Sequence, residues 1–336
     1  MPRPVRFALL GYGRVAPTHV DAIEALGTRA ELVAICDADP EALALGVSRT
    51  GADPAPTLEA LLDRADIDVV AICTPSGTHA QQGIAAARAG KHVLVEKPMD
   101  VDPAAARALL DACTEAGVRL FPVFQNRLNT TVRLLKAAQN AGRFGKILAL
   151  NSTVVWHRGQ DYYDSAPWRG TRTMDGGAFM NQGIHFVDVM RHIAGNVRNV
   201  QSMLGTLSRN MECEDTGAAL LRFESGAIGN VFVTMAGCRD LEGSLTVLGE
   251  NGLVKIGGNA LNTIEAWTFE TPHPEQDALA ANAGYHTASV YGNGHKLCYE
   301  QVVTALTDPQ TPAPIDPEDA LRSVQLIHEI YRTNCG

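Results

Sequence analysis

The sequence predicts two domains, an α/β domain with a parallel sheet followed by an α+β domain with a large, mostly antiparallel, open-faced sheet. The chain has 336 residues, which is more than one ordinary core holds, because most domains have roughly 100–150 residues. Its first part alternates short apolar runs with helical patterns, which is typical of βαβ units. Its later part has apolar runs separated mainly by turn signals, which is typical of an antiparallel sheet. We expect the domains to span 1–125 and 126–336.

Each element of the first domain follows from its own pattern. Strands are predicted where short, mostly apolar runs occur, at 5–10, 31–36, 68–73, 92–95 and 118–124. A helix ending at Gly27 is predicted because one face recurs at helical spacing, with Val15, His19, Ala22, Ile23 and Leu26. Further helices are predicted at 81–89 and after Asp102-Pro103, which stand in N-cap and first-turn order.

The second domain is predicted from a change in this pattern. After a helix at 130–140, strands are predicted at 147–156, 197–206, 217–223, 227–235, 242–248 and 252–256. A helical stretch at 176–194 interrupts the sheet early, and a helix at 317–331 follows it.

Composition and charge exclude several classes of function. The formal net charge is −9 and no Lys/Arg-rich run opposes it, so nucleic acid is not an expected partner. No apolar run reaches the ~20 residues that span a bilayer, and residues before the first strand leave no room for a signal peptide. Seven scattered cysteines without a C-x-x-C pair predict no disulfide framework and no metal site. A cytoplasmic enzyme is the expected class.

A glycine-rich turn follows the first predicted strand. Gly11-Tyr12-Gly13-Arg14-Val15-Ala16 has the G-x-G-x-x-A pattern and leads into a helix within a βαβ unit, which is the context of a dinucleotide-binding Rossmann domain. Gly11 permits the tight turn, Gly13 lets the backbone approach a pyrophosphate, and Ala16 allows close helix–strand packing. Amide groups at the helix N-terminus then meet the negative phosphates.

An acid at the end of the second strand indicates the cofactor. Asp37 lies where a carboxylate binds the adenosine ribose hydroxyls, and a 2′-phosphate there would meet like charge. The repulsion is on the order of 1–4 kcal/mol at ~4 Å, depending on the dielectric. No arginine follows, because the next residues are Ala38 and Asp39. The sequence therefore favours NAD over NADP.

Two later strand ends belong to the same crevice, because ligands of such sheets bind beyond the carboxyl ends of the strands. One is 74–79, which begins Thr74-Pro75 and ends at His79, and the other is Glu96-Lys97-Pro98. The Glu-Lys pair is either a surface ion pair or part of the site. A lysine beside the nicotinamide suits the polarisation of a substrate hydroxyl.

These residues, with a later histidine, resemble the glucose–fructose oxidoreductase/inositol dehydrogenase (Gfo/Idh/MocA) family over nearly the whole chain. The resemblance implies that Lys97 precedes a cis-proline and points into the active site, and that Glu96 lies near the nicotinamide ribose. It also implies that Trp168 and Arg169 line the nicotinamide end. The predicted cofactor-binding residues are thus Gly11, Tyr12, Gly13, Arg14, Val15, Asp37, Thr74, Pro75, His79, Glu96, Lys97, Trp168 and Arg169.

Longer strings resemble one branch of the family, which acts on UDP-N-acetylglucosaminuronic acid as a 3-dehydrogenase in bacterial cell-surface polysaccharide synthesis. They are 125–127 (QNR), 162–170 (YYDSAPWRG), 175–182 (DGGAFMNQ) and 289–295 (SVYGNGH). The family usually has an acid four residues before its catalytic histidine, whereas this chain has Asn181 before His185. On a helix this spacing puts both side chains on one face. Asn181 orients a hydroxyl or the imidazole but is no base near neutral pH.

The predicted catalytic residues are therefore Lys97, His185 and Asn181. His185 is suited to accept the proton of the sugar C3 hydroxyl, because histidine titrates near working pH. Lys97 either stabilises the developing alkoxide as a cation or shares the base role; the sequence leaves both open.

Further residues are predicted to bind the substrate. Arg127 offers a bidentate fork to a carboxylate or diphosphate, although a surface role is an equal reading. Tyr291 and His295 lie in a Gly-rich stretch that would close over the sugar, together with Asn181 and His185. Asp188, three residues after His185, either fixes the imidazole tautomer or belongs to a structural network.

Two other functions stay open at this point. One is an NAD-dependent dehydrogenase of a free polyol or sugar, and the other is a catalytically silent sensor of NAD or a sugar nucleotide. Lys97 with His185 favours an enzyme, because a sensor needs neither. The resemblance also implies a homotetramer packed through the open sheets, which agrees with the broad apolar face that such a sheet exposes.

Overall fold

A computed structural model describes residues 3–287, 290–308 and 310–334. Ser289 of the string at 289–295 and Cys335 therefore lie outside the described residues. The helices are α1 (Ala16–Glu24), α2 (Pro40–Thr50), α3 (Leu58–Leu62), α4 (His79–Arg88), α5 (Pro103–Glu115), α6 (Thr130–Asn140), α7 (Gln160–Asp164), α8 (Ile184–Ala194), α9 (Pro274–Ala281), α10 (Gly294–Thr307) and α11 (Pro317–Arg332).

The strands form two sheets. They are β1 (Val5–Leu10), β2 (Ala30–Cys36), β3 (Asp53–Pro54), β4 (Val69–Ile72), β5 (His92–Val95), β6 (Leu120–Pro122), β7 (Ile147–Val155), β8 (Val197–Gly205), β9 (Thr216–Phe223), β10 (Ile228–Thr234), β11 (Glu242–Gly249), β12 (Gly252–Gly257) and β13 (Thr263–Phe269). The predicted α/β domain with a parallel sheet and the following sheet-rich domain are confirmed.

Two compact units divide the chain, and neither is one continuous segment. The first contains Met1–Phe124 and His295–Arg322, and the second contains Gln125–Gly294 and Ser323–Gly336. The sequence placed everything after residue 125 in the second domain. The clustering of contacts instead places His295–Arg322, which contains most of α10 and the start of α11, in the first unit.

The sheet of the first unit has the order β3-β2-β1-β4-β5-β6, and all its pairings are parallel. Its central strands are buried on both faces, since the neighbouring residues Phe7 and Ala8, which point to opposite faces, are both fully buried, as expected where helices cover both sides. The strand order reverses between β1 and β4, and open sheets of this kind bind ligands at that point. The loops after β1, β2, β4 and β5 therefore carry the candidate cofactor residues.

Local signals start and stop the helices around this sheet. Asp39 caps α2, Thr57 caps α3 and Asp102 caps α5, each by accepting a backbone N–H bond from the first turn. Gly51 ends α2 in the left-handed conformation. The predicted helix after Asp102-Pro103 is confirmed.

The sheet of the second unit has the order β13-β12-β11-β7-β10-β9-β8. Its pairings are antiparallel except that of β7 with β10. Helix α8 packs against β7 and β11 on one face. The opposite face, which we call the open face, has large apolar side chains that are exposed: Met203, Leu220, Ile228, Phe232 and Leu248.

Within the described residues, no helix combines the length and apolar composition that crossing a bilayer needs. The described cysteines are all unpaired, and five of these six are buried. No disulfide therefore joins described parts of the chain.

Candidate active site

The turn after β1 fits a dinucleotide phosphate. Gly11 has φ +93°, and a Cβ there would lie 2.9 Å from backbone atoms of Cys73 and Thr74, so only glycine fits. A Cβ on Gly13 would meet open space, which leaves room for a ligand directly over the backbone. No described side chain caps the start of α1 and its first turn has no acid. The turn can therefore offer amides to an anion.

Asp37 is held in a fixed position at the end of β2. Its two carboxylate oxygens accept hydrogen bonds from the amides of Tyr12 (2.5 Å) and Asp39 (2.8 Å). The carboxylate is half-buried and each oxygen keeps lone pairs, so it can also accept the hydroxyls of a ribose. The geometry of the glycine turn suits the phosphates of NAD, and the position of the Asp37 carboxylate suits its ribose.

His79, predicted to bind the cofactor, is a buried link between two loops. Its ring nitrogens lie 2.7 Å from the carbonyl oxygen of Pro98 and 2.8 Å from that of Thr74. The peptide between Lys97 and Pro98 is cis, as the resemblance implies. His79 thus ties the turn after β4 to the segment that carries Lys97, and its nitrogens face backbone rather than open space.

Glu96 lies in a buried group of polar side chains. One carboxylate oxygen is 3.0 Å from Nε2 of His19 and 3.0 Å from Nε2 of His295. The other oxygen accepts the Lys97 amide at 3.1 Å. These hydrogen bonds hold the pKa of Glu96 well below its usual value against the opposing effect of burial.

The sequence did not anticipate this group. It assigned His295 to substrate binding and placed Glu96 beside the nicotinamide ribose, whereas the structure joins the two. His19 was counted only as part of the buried stripe of α1. The local signal for this group was a histidine, His19, in an otherwise apolar stripe. A buried imidazole requires hydrogen-bond partners, so polar side chains are expected beside it.

Asn181 is half-buried in a π-helical turn, Phe179–Gly183, directly before α8. Its amide nitrogen donates to the carboxylate of Asp175, which also accepts the Gly170 amide at 2.7 Å. Its amide oxygen accepts from the Gln182 side chain at 2.7 Å. Asp175 therefore fixes which way the Asn181 amide faces. An aspartate at position 181 would press a second carboxylate against Asp175, which is a physical reason for an asparagine here.

His185 is buried in the first turn of α8. Asp188, on the same helix, accepts two hydrogen bonds from the Arg127 guanidinium (2.7 and 2.5 Å) and one from Ser323 (2.7 Å). Asp188 thus belongs to a structural network. Arg127, predicted to meet the sugar carboxylate or diphosphate, is buried and directs its fork at Asp188.

Trp168 and Arg169 form a stacked group with Tyr162. The Arg169 guanidinium lies 4.3 Å from the Tyr162 ring centroid and 4.5 Å from that of Trp168, and it donates to the Tyr162 hydroxyl at 2.6 Å. Stacking of this kind orders a loop. Tyr291 is half-buried on the turn before α10. The cofactor and substrate roles of these residues stay predictions, as does the convergence of Lys97 and His185.

Glu214 supports the segment that carries Asn181 and His185. Its carboxylate accepts the Phe179 amide at 2.9 Å and the Tyr331 hydroxyl at 3.2 Å. A Cβ on Gly177 would overlap this carboxylate, so the close approach requires glycine. Burial raises the pKa of Glu214 to about 7.

We expect this raised pKa to make the chain less stable as the pH rises from acid to neutral. The folded state keeps the Glu214 proton between pH 4.5, the ordinary value, and about 7. The stabilisation is complete below that window and is lost as the pH rises through it. From about pH 5.5 to about pH 8.5 the loss is about 2 kcal/mol. Denaturant unfolding at both pH values should show this loss in the native chain and not in Glu214→Gln, whereas the exposed Glu275→Gln should retain it. An equal loss in Glu214→Gln would contradict the assignment.

With this geometry in place, residues 5–124 match the oxidoreductase family with an NAD-binding Rossmann fold, and residues 132–255 match the GFO/IDH/MocA C-terminal domain. The chain belongs to the GFO/IDH/MocA family. It is an NAD-dependent dehydrogenase, and the nicotinamide cofactor predicted from the sequence is confirmed.

Solved structures of this family include close relatives. The WlbA dehydrogenase from Bordetella pertussis, in complex with NADH and UDP-GlcNAcA, is 46% identical, with a TM-score of 0.95. The match covers 98% of this chain and 95% of that one. The WlbA dehydrogenase from Chromobacterium violaceum, with the same ligands, is 43% identical, with a TM-score of 0.93, over 99% of this chain and 94% of that one.

Relatives named for polyols are more distant. The inositol 2-dehydrogenase of Rhizobium meliloti is 35% identical over 191 residues, which are 57% of this chain and 55% of that enzyme. The match thus spans little more than half of that relative's length. The myo-inositol 2-dehydrogenase of Thermotoga maritima is 28% identical over 74% of both chains. The relatives described here are thus dehydrogenases that either bind a UDP-sugar in their crystals or are named for inositol.

Proposed function

We propose that this dehydrogenase oxidises the C3 hydroxyl of UDP-N-acetylglucosaminuronic acid to the 3-keto sugar, in the synthesis of a bacterial cell-surface polysaccharide such as O-antigen. The observation that carries the proposal is the 46% identity over 98% of the chain to a dehydrogenase crystallised with that UDP-sugar and NADH. The inositol dehydrogenases are less similar and align over shorter stretches.

In this proposal the backbone at Gly13 would hold the phosphates of NAD and Asp37 would hold its ribose hydroxyls, and the bound cofactor would supply the hydride acceptor. His185 accepts the proton of the C3 hydroxyl, since an imidazole titrates near neutral pH. Lys97 stabilises the oxygen as it gains negative charge, or shares the proton. Asn181, whose amide orientation Asp175 fixes, holds the hydroxyl or the imidazole in line.

The test is to incubate purified protein with NAD and one candidate sugar at a time. We expect the UDP-sugar acid, but not myo-inositol or glucose, to lose two hydrogens by mass spectrometry. Product mass is the better readout, because reduced cofactor that stays bound would absorb only one equivalent per site, and cofactor reoxidised by a 2-oxo acid would give no lasting absorbance. Oxidation of inositol alone would select the polyol enzyme, which the inositol dehydrogenase relatives favour. Tight NAD binding without any product would indicate a sensor.

We further propose that the protein acts in the cytoplasm as a homotetramer in which the open face is covered by another copy. Ile228, Phe232 and Leu220 lie on adjacent, paired strands of that face, and such patches commonly mark interfaces. We expect Phe232→Glu to convert tetramers into smaller species in analytical ultracentrifugation, because the carboxylate would be buried without a partner. Leu45→Glu, at a leucine on α2 that is even more exposed than Phe232, is the control. A tetramer unaffected by Phe232→Glu would exclude this face.

A further inference from the structure

We propose that His19, His295 and Tyr299 are positioning residues that hold the Glu96 carboxylate against the backbone of Lys97 and so set the placement of the Lys97 side chain. This inference rests on the proposed catalytic role of Lys97. Every residue in it lies in the first unit of the chain.

The group brings together three distant segments of the chain. His19 is on α1, which follows the dinucleotide turn, Glu96 follows β5, and His295 is in the first turn of α10. His19 is 0% exposed, His295 1% and Glu96 6%. The two imidazole rings meet edge to face, with centroids 5.1 Å apart. Such a convergence of buried polar groups is costly unless each finds a partner.

The hydrogen-bond pattern determines where the protons lie. An ionised carboxylate only accepts, so both histidines must present N–H at Nε2 to Glu96. Burial lowers the pKa of His19, which favours its neutral form. Its Nδ1 then accepts from the Tyr299 hydroxyl at 2.8 Å. A single run of donors therefore leads from Tyr299 through His19 to Glu96.

The second oxygen of Glu96 connects this group to Lys97. It accepts the Lys97 amide at 3.1 Å, while His79 holds the carbonyl of Pro98 on the far side. The backbone on both sides of Lys97 is thus held by buried side chains. Loss of a donor at Glu96 would let the carboxylate turn and shift the lysine, and a misplacement of about 1 Å can cost up to about 10²-fold in rate.

The same three groups, His19, Glu96 and His295, are also of the kind that binds metal ions, with ligand atoms within 4.8 Å of one another. Hydrogen bonds of 3.0 Å from both imidazoles to one oxygen account for the arrangement without an ion. Metal content of the purified protein distinguishes the two, and one zinc or other transition metal per chain would overturn the proposal.

The main experiment compares two substitutions of one histidine. His295→Leu removes the donor, whereas His295→Gln keeps an N–H near the position of Nε2. We expect His295→Leu to lower kcat about 10- to 10²-fold with KM for the sugar and Kd for NAD nearly unchanged, and His295→Gln to recover most of the loss. Cys298→Ala, a buried site on the same helix, controls for a general effect of substitution in α10. Unchanged kcat in His295→Leu, or equal loss in both variants, would overturn the proposal.

A readout independent of turnover separates this proposal from the proposed function. In ¹⁵N-edited NMR spectra we expect the signals of His19 and His295 to show protonation at Nε2, with His19 shifting in Tyr299→Phe. If no sugar is oxidised but these tautomers are found, the proposed function fails and the network stands. Protonation of either histidine at Nδ1 alone would overturn the network itself.

Discussion

Lys97→Met is expected to lower kcat by about 10²–10⁴-fold while NAD still binds, because a positioned charge or proton acceptor contributes on that order. The hydrogen bonds that hold the segment, from the Lys97 amide to Glu96 and from His79 to Pro98, do not involve the Lys97 side chain. Methionine keeps the length of the side chain and removes its charge. The measurement is the rate of UDP-sugar oxidation at saturating substrate, followed by product mass, with NAD affinity determined separately.

His185→Gln, alone and combined with Lys97→Met, tests which of the two residues accepts the proton of the sugar hydroxyl. If both residues act on one hydroxyl, the double variant loses little more than the worse single variant, because residues that act as a unit are not additive. The variant that lacks the base also loses the acidic limb of the pH–rate profile. Lys146→Met, at an exposed lysine, should leave all of these quantities unchanged. Near-normal kcat in both single variants would exclude this site from the chemistry.

The Rossmann fold and the choice of NAD could be predicted from the sequence because their determinants are local. A glycine turn, the strand before it and the acid after the next strand lie within one βαβ unit. The structure shows why each is needed: Gly11 lies against the chain after β4, Gly13 faces open space, and Asp37 is fixed by backbone amides.

The hydrogen bonds that hold the site residues in place could not be predicted from the sequence, because the two partners of each bond are far apart in the chain. Glu96 and His295 are 199 residues apart, and Arg127 and Asp188 are 61 apart. Helix α10 was missed because its start, Asn293-Gly294, lies in a Gly-rich stretch that is typical of a loop. Helix α2 was missed despite Asp39-Pro40, which is the same N-cap and first-turn signal that was recognised at Asp102-Pro103.

For Arg127, the sequence-based prediction of substrate binding and the contacts in the structure lead to different expected results for the same substitution. If Arg127 bound the substrate, Arg127→Ala would raise KM and leave stability nearly unchanged. In the structure its guanidinium is 6% exposed and pairs with Asp188, which is 1% exposed. Removing one partner of such a pair leaves a buried charge uncompensated, which costs about 3–5 kcal/mol.

We therefore expect Arg127→Ala to lose about 3–5 kcal/mol in the free energy of unfolding, measured by denaturant titration. Arg127→Lys should lose less, since a charge remains but the two-pronged contact does not. Replacing both residues, as in Arg127→Met with Asp188→Leu, should recover much of the loss, because no unpaired charge is then buried. The single variant Arg198→Ala, at an exposed arginine, is the matched control. A normal unfolding free energy in Arg127→Ala together with a raised KM would restore the substrate-binding assignment, because only a guanidinium that exchanges Asp188 for the sugar could give both results.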